Sequence, residues 1–136
     1  MGKTYDELNL GDMDTFEKTL CESDVYLFAG ITGDFNPAHI NEKESLRTKF
    51  GGRIVHGMLT GSLISTVIGT KLPGTGTIYL KQNLEFLKAV RLGDTIKAEV
   101  QVIEKLEKGR IKLRTRCYNQ NDEIVIDGDA IVLPPR

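Results

Sequence analysis

The longest uninterrupted apolar pattern in the chain lies over residues 58–70. Met58, Leu59, Leu63, Ile64, Val67 and Ile68 alternate there with Gly61, Ser62, Ser65 and Thr66, and no charged side chain appears until Lys71. A helix without a charged face belongs in an interior, so this pattern predicts a buried helix. Downstream the period changes. Ile96, Ala98, Val100 and Val102 alternate with Lys97, Glu99 and Gln101 over residues 95–103, and Ile111, Leu113, Thr115 and Cys117 alternate with Lys112, Arg114 and Arg116 over 110–118. Period two marks half-buried strands. Residues 77–86, β-branched and aromatic, and 124–132, stopped by Pro134-Pro135, complete the set, while 14–20 alternates loosely, as an edge strand does. Turn signals at Gly93-Asp94, Lys108-Gly109 and Asn119 to Asp122 separate the later strands. The expected fold is α+β, a curved antiparallel sheet of about five strands wrapped around one long apolar helix, in a single domain over residues 1–136 without internal repeats.

Composition narrows the function classes. Eighteen Lys and Arg against 19 Asp and Glu give a formal net charge of -1, so bulk charge draws the chain neither to nucleic acid nor to an anionic membrane. Cys21 and Cys117 have no metal-ligand spacing, which fits reduced thiols in a cytoplasmic setting. The first residues hold no apolar leader, and no run is long enough to span a bilayer.

The segment between the first strand and the long helix carries the chemistry. Ser23 reads as an N-cap with Asp24 in the first turn, for a helix through Val25 and Ala29 that ends near Asp34. Asn36-Pro37 then forces a bend, because a residue before proline leaves the helical region, and His39 follows. A carboxylate and an imidazole held across a bend can converge on one water molecule. Asp and Asn are also ordinary turn formers, so the Asp-x-Asn-Pro-x-His string alone leaves a purely structural reading open. Asn41 caps a short polar helix over residues 42–47, Gly51-Gly52 interrupts it, and His56-Gly57 opens the long helix. A mononuclear metal site from Asp34, His39 and His56 is a weaker alternative, since closely spaced His ligands are missing.

Three stretches in order, Gly33-Asp34-Phe35-Asn36-Pro37-Ala38-His39, Ile54-Val55-His56-Gly57-Met58-Leu59 and Leu72-Pro73-Gly74-Thr75-Gly76-Thr77-Ile78-Tyr79-Leu80, carry a family resemblance. The chain resembles the MaoC-like hydratases of the hot-dog fold, most closely the short (R)-specific enoyl-CoA hydratases, over nearly its whole length. Ala38 departs from the pattern, which usually has a larger aliphatic residue there; no reactive group is lost.

The resemblance implies reversible hydration of a trans-2-enoyl-CoA to the (R)-3-hydroxyacyl-CoA, with Asp34 and His39 holding the water. It implies no separate cofactor, coenzyme A being part of the substrate, and an acyl-CoA or acyl-carrier-protein thioester as the partner molecule. Attack at C3 moves charge onto the thioester oxygen, and the free N–H of Gly57 at the head of the long helix is the candidate donor. Gly57 also fits a plain packing role. Asn36 and His56 are candidate supporting residues, and the family pattern sets Ser65 near the aspartate, although a serine in an apolar helix often bonds back to its own backbone. Lys81, Lys88 and Arg91 could meet coenzyme A phosphates but also suit an ordinary solvated sheet face. Fold analogy suggests a homodimer joined sheet edge to sheet edge. A thioesterase on the same fold and a non-catalytic acyl-binding module remain the competing readings.

Overall fold

Five antiparallel strands form one sheet in the computed structural model, which describes residues 1–136. The elements run β1 (Met13–Thr19), α1 (Glu22–Thr32), α2 (Pro37–Ile40), α3 (Glu42–Ser45), α4 (Gly57–Thr70), β2 (Ile78–Phe86), β3 (Thr95–Lys105), β4 (Ile111–Tyr118) and β5 (Ile124–Leu133). Strand order is β1-β3-β4-β5-β2, so β1 and β2 are the two edges. The alternation read from sequence holds: Ile96, Ala98, Val100 and Val102 of β3 and Ile111, Leu113, Thr115 and Cys117 of β4 are all buried. Their charged neighbours point the other way, where Arg116 Nε meets Asp127 Oδ1 at 2.9 Å across the β4–β5 pair.

The long helix α4 sits on this apolar face and packs on β1, β3 and β4. Thr60, Leu63, Ile64, Val67 and Ile68 are its buried residues, and each aliphatic side chain so covered contributes about 1.5–3 kcal/mol. The expectation of a helix covered all round needs correcting. Met58 is 60% exposed, and Ser62, Ser65 and Gly69 also face out, because β2 meets α4 only through Leu84 beside Gly61 and Phe86 beside Gly57, which leaves the rest of that flank bare. Gly128 lets β5 come close to β2, since a Cβ there would stand 2.0 Å from the Asn83 carbonyl oxygen. That pairing carries Phe86 opposite Ile126, and both line the main cavity.

Helices α1 to α3 form a layer over the head of α4. The cap of α1 is Cys21, two residues before the expected Ser23, because Asp24 at the third helical position reaches back to accept from the Cys21 N–H at 3.0 Å. Gly33 ends α1 in the left-handed conformation at φ 79°. Asn36-Pro37 does more than bend the chain. Asn36 Oδ1 accepts from the Ala38 N–H at 3.0 Å and Pro37 occupies the first position of a helical turn, α2, which carries His39. Asn41 caps α3 as expected, through Glu44 N–H at 3.0 Å. Arg53 locks the layer: its guanidinium donates to Glu22 Oε2, Glu42 Oε2 and Tyr26 Oη, each at 3.0 Å. No helix is long and apolar enough to cross a membrane.

Candidate active site

The layer of short helices and the head of α4 enclose a cavity of about 780 Å³, with Asp34, His39, His56 and Gly57 in its wall. Its remaining wall is largely apolar, from Phe28, Phe50, Ile54, Met58, Phe86 and Ile126 among others. A cleft that is mostly apolar with a few convergent polar groups is the usual form of a small-molecule site.

Each polar side chain has a definite support. Asp34 follows the glycine cap of α1; its N–H donates to Thr32 Oγ1 at 3.1 Å, and its Oδ1 accepts from the Asn36 N–H at 3.2 Å. Its carboxylate stays exposed to the cavity. His39, 9% exposed, is fixed by Nδ1, which lies 2.8 Å from the Ile54 carbonyl. A carbonyl only accepts, so Nδ1 carries a proton, and whenever the ring is neutral Nε2 has the lone pair. His56 Nε2 likewise donates to the Asp34 carbonyl at 3.0 Å. One ligand atom from each of Asp34, His39 and His56 lies within 4.8 Å of the others, a span that two hydrogen bonds of ~2.8 Å to a single bent water can bridge.

The same three residues have the composition of a metal site. The His39 and His56 rings stack with centroids 3.9 Å apart and planes at 27°. One nitrogen of each ring is held by a backbone carbonyl, and the other has no partner within the chain.

At the head of α4, the Gly57 N–H finds no acceptor among the chain's own groups and belongs to the unpaired first turn, where the helix dipole is positive. The first turn holds no acidic residue to oppose that polarity. Of the other residues singled out from sequence, Asn36 supports the α2 turn. Ser65 is exposed, two turns further along α4, does not line the cavity and is not hydrogen-bonded to Asp34 within the chain. Lys88 lines the cavity rim but is engaged by Glu123, and Arg91 donates to the carbonyls of Phe50 and Gly52. Sequence reasoning passed over Phe28, Phe86 and Thr60 as wall residues, and over Arg53. For Thr60 the available signal was its helical spacing from His56, four residues on.

Residues 11–123 match the MaoC like domain. The chain belongs to the MaoC-like family. Among MaoC-like relatives it is 44% identical over 133 residues to the 3-hydroxybutyryl-CoA dehydratase of Methylorubrum extorquens, covering 97% of this chain and 84% of that protein. It is 45% identical over 132 residues to the (R)-specific enoyl-CoA hydratase of Rhodospirillum rubrum, covering 96% and 91%. The unliganded structure of the R-hydratase PhaJ1 from Pseudomonas aeruginosa superposes with a TM-score of 0.94 at 44% identity, over 99% of this chain and 87% of that one. The MaoC-like hot-dog architecture expected from sequence is the one found.

Proposed function

We propose that this protein is an (R)-specific enoyl-CoA hydratase, adding water reversibly across the C2–C3 double bond of a trans-2-enoyl-CoA. The observation that carries the reading is the meeting of Asp34 and His39 in one cavity with the N-terminus of α4. Dehydratase and (R)-hydratase relatives at 44% and 45% identity support both the reaction and its stereochemistry.

In this reading the Asp34 carboxylate and His39 Nε2 grip one water. Its oxygen bonds to C3 while the pair takes one of its protons, the π electrons move toward the thioester, and a proton delivered to C2 completes the (R)-3-hydroxyacyl product. Charge that builds on the thioester oxygen is met by the Gly57 N–H and the dipole of α4. Glycine admits the thioester because no side chain stands between the backbone and the cavity. Coenzyme A enters as part of the substrate, and no further cofactor has a step to perform.

The active unit is a homodimer in which β2 edges pair. That edge presents Ile78 at 55%, Leu80 at 45% and Phe86 at 53% exposure, and an unpaired apolar edge favours pairing with another strand. The small-residue flank of α4 faces the same side, so Ser65 meets the second copy rather than its own Asp34.

Crotonyl-CoA tests the reaction. Loss of the conjugated enoyl absorbance without release of thiol is expected; thiol release would mean a thioesterase, and neither signal a binding module. Asp34→Asn and His39→Ala are each expected to slow hydration by roughly 10²–10⁴-fold with the melting temperature little changed. Full activity in either variant contradicts the assignment.

A further inference from the structure

His56 is more than the residue before the helix. Its side chain is 2% exposed and makes no cap to α4; instead it touches both members of the proposed pair. Nε2 donates to the Asp34 carbonyl at 3.0 Å, one face stacks on His39 at 3.9 Å, and Phe28 packs on the ring at 4.9 Å, tilted by 56°. The remaining ring nitrogen, Nδ1, is buried with no hydrogen-bond partner, and the Thr60 hydroxyl is buried with none either. Those two orphaned atoms belong to the residue at the N-cap position of α4 and the residue four further on, which are tied by the Thr60 N–H donating to the His56 carbonyl at 3.2 Å, and both residues line the cavity. They are complementary: with its proton on Nε2, the His56 ring offers a lone pair at Nδ1, and a threonine hydroxyl can donate to it. Buried polar atoms in folded proteins rarely stay unpaired, and a change of the Thr60 χ1 rotamer or one intervening water can satisfy both.

We propose that Thr60 and His56 form a positioning relay, in which the Thr60 hydroxyl fixes His56 in its Nε2–H tautomer so that this one ring sets the spacing of Asp34 and His39. The assignment rests on the hydratase reading for its consequence, but its geometry does not depend on it. With the proton on Nδ1 instead, the Nε2 lone pair would oppose the Asp34 carbonyl. The loop carrying Asp34 would then lose its tie to the head of α4, and the water held by the pair would sit off the line of attack.

Two measurements on the full-length protein test this. The chain has only two histidines, so ¹⁵N-histidine NMR of the unliganded protein resolves both rings. The relay requires His56 unprotonated at Nδ1 and protonated at Nε2; the opposite tautomer in the wild type overturns it before any variant is made. Thr60→Val, which keeps shape and removes the hydroxyl, is expected to mix the His56 tautomers and lower kcat for crotonyl-CoA on the order of tenfold, with KM changing far less. Thr60→Ser restores both. An unaltered His56 spectrum and unaltered kcat in folded Thr60→Val overturn the proposal. Should the wild type hydrate nothing, the hydratase reading falls while the tautomer measurement still decides the relay.

Discussion

Gly57 is where backbone chemistry and packing make separate demands on one residue. A Cβ at Gly57 would stand 2.7 Å from Phe86 Cε1, closer than real carbons approach, and would also project into the space a thioester must enter. The two demands separate experimentally. Gly57→Ala is expected to cost about 1–3 kcal/mol of stability by overpacking and to reduce kcat by roughly 10²-fold or more by spoiling access to the N–H. Gly57→Ala with Phe86→Ala should regain the melting temperature, measured against Phe86→Ala alone, without regaining kcat. Recovery of both would make Gly57 a packing residue only. That Asp34, His39 and Gly57 share one cavity was legible in sequence because each motif carries its own turn or helix signal. The stack of His56 on His39 and the orphaned Thr60 hydroxyl were not, since they arise where two segments seventeen residues apart fold onto each other.

Among the elements, the layer α1–α3 holds the site together and should be the first part to loosen in acid. Glu22 lies below the ordinary carboxylate range because Tyr26 Oη donates to it, followed by Arg53. Asp24 is also held low, mainly by the Cys21 N–H, with smaller help from the Cys21 side chain and Lys18. A depressed carboxylate stabilises the fold fully above its unfolded pKa, near ~4, and loses that contribution as pH falls through its lower folded value. Amide exchange across residues 22–45 should therefore quicken below about pH 4 ahead of the sheet. Arg53→Ala should lower the melting temperature at pH 7, and its deficit against wild type should shrink at pH 3; a deficit independent of pH would contradict the ionic role. The sequence predicted α1 but with Ser23 as its cap, because the reach of Asp24 back to Cys21 leaves no periodic trace. It missed α2 as a helix because a four-residue turn shows no period at all, even though Asn36-Pro37 is a cap followed by a first-turn proline.

For the whole molecule, alternation made the strands legible but not their order. Consecutive β2 and β3 occupy separate parts of the sheet, a rearrangement no local pattern encodes, and it leaves Ile78 and Leu80 of β2 and one flank of α4 exposed. That exposure underlies the proposed dimer. Leu80→Lys, on the free edge, is expected to shift sedimentation from dimer to monomer and to lower hydratase activity alongside; a monomeric wild type would contradict the pairing. Inside the sheet, burial pushes the Cys117 thiol up to about 12, which favours a neutral core group beneath α4.

The account turns on Asp34 and His39 acting on one and the same water, and a double-variant kinetic cycle reads that directly. Hydration of crotonyl-CoA is compared for wild type, Asp34→Asn, His39→Ala and the two combined. Groups that serve one molecule as a unit lose nearly everything with the first removal, so the combined variant should be about as slow as the slower single one. Losses that multiply would mean two independent sites of action, and would contradict the shared water.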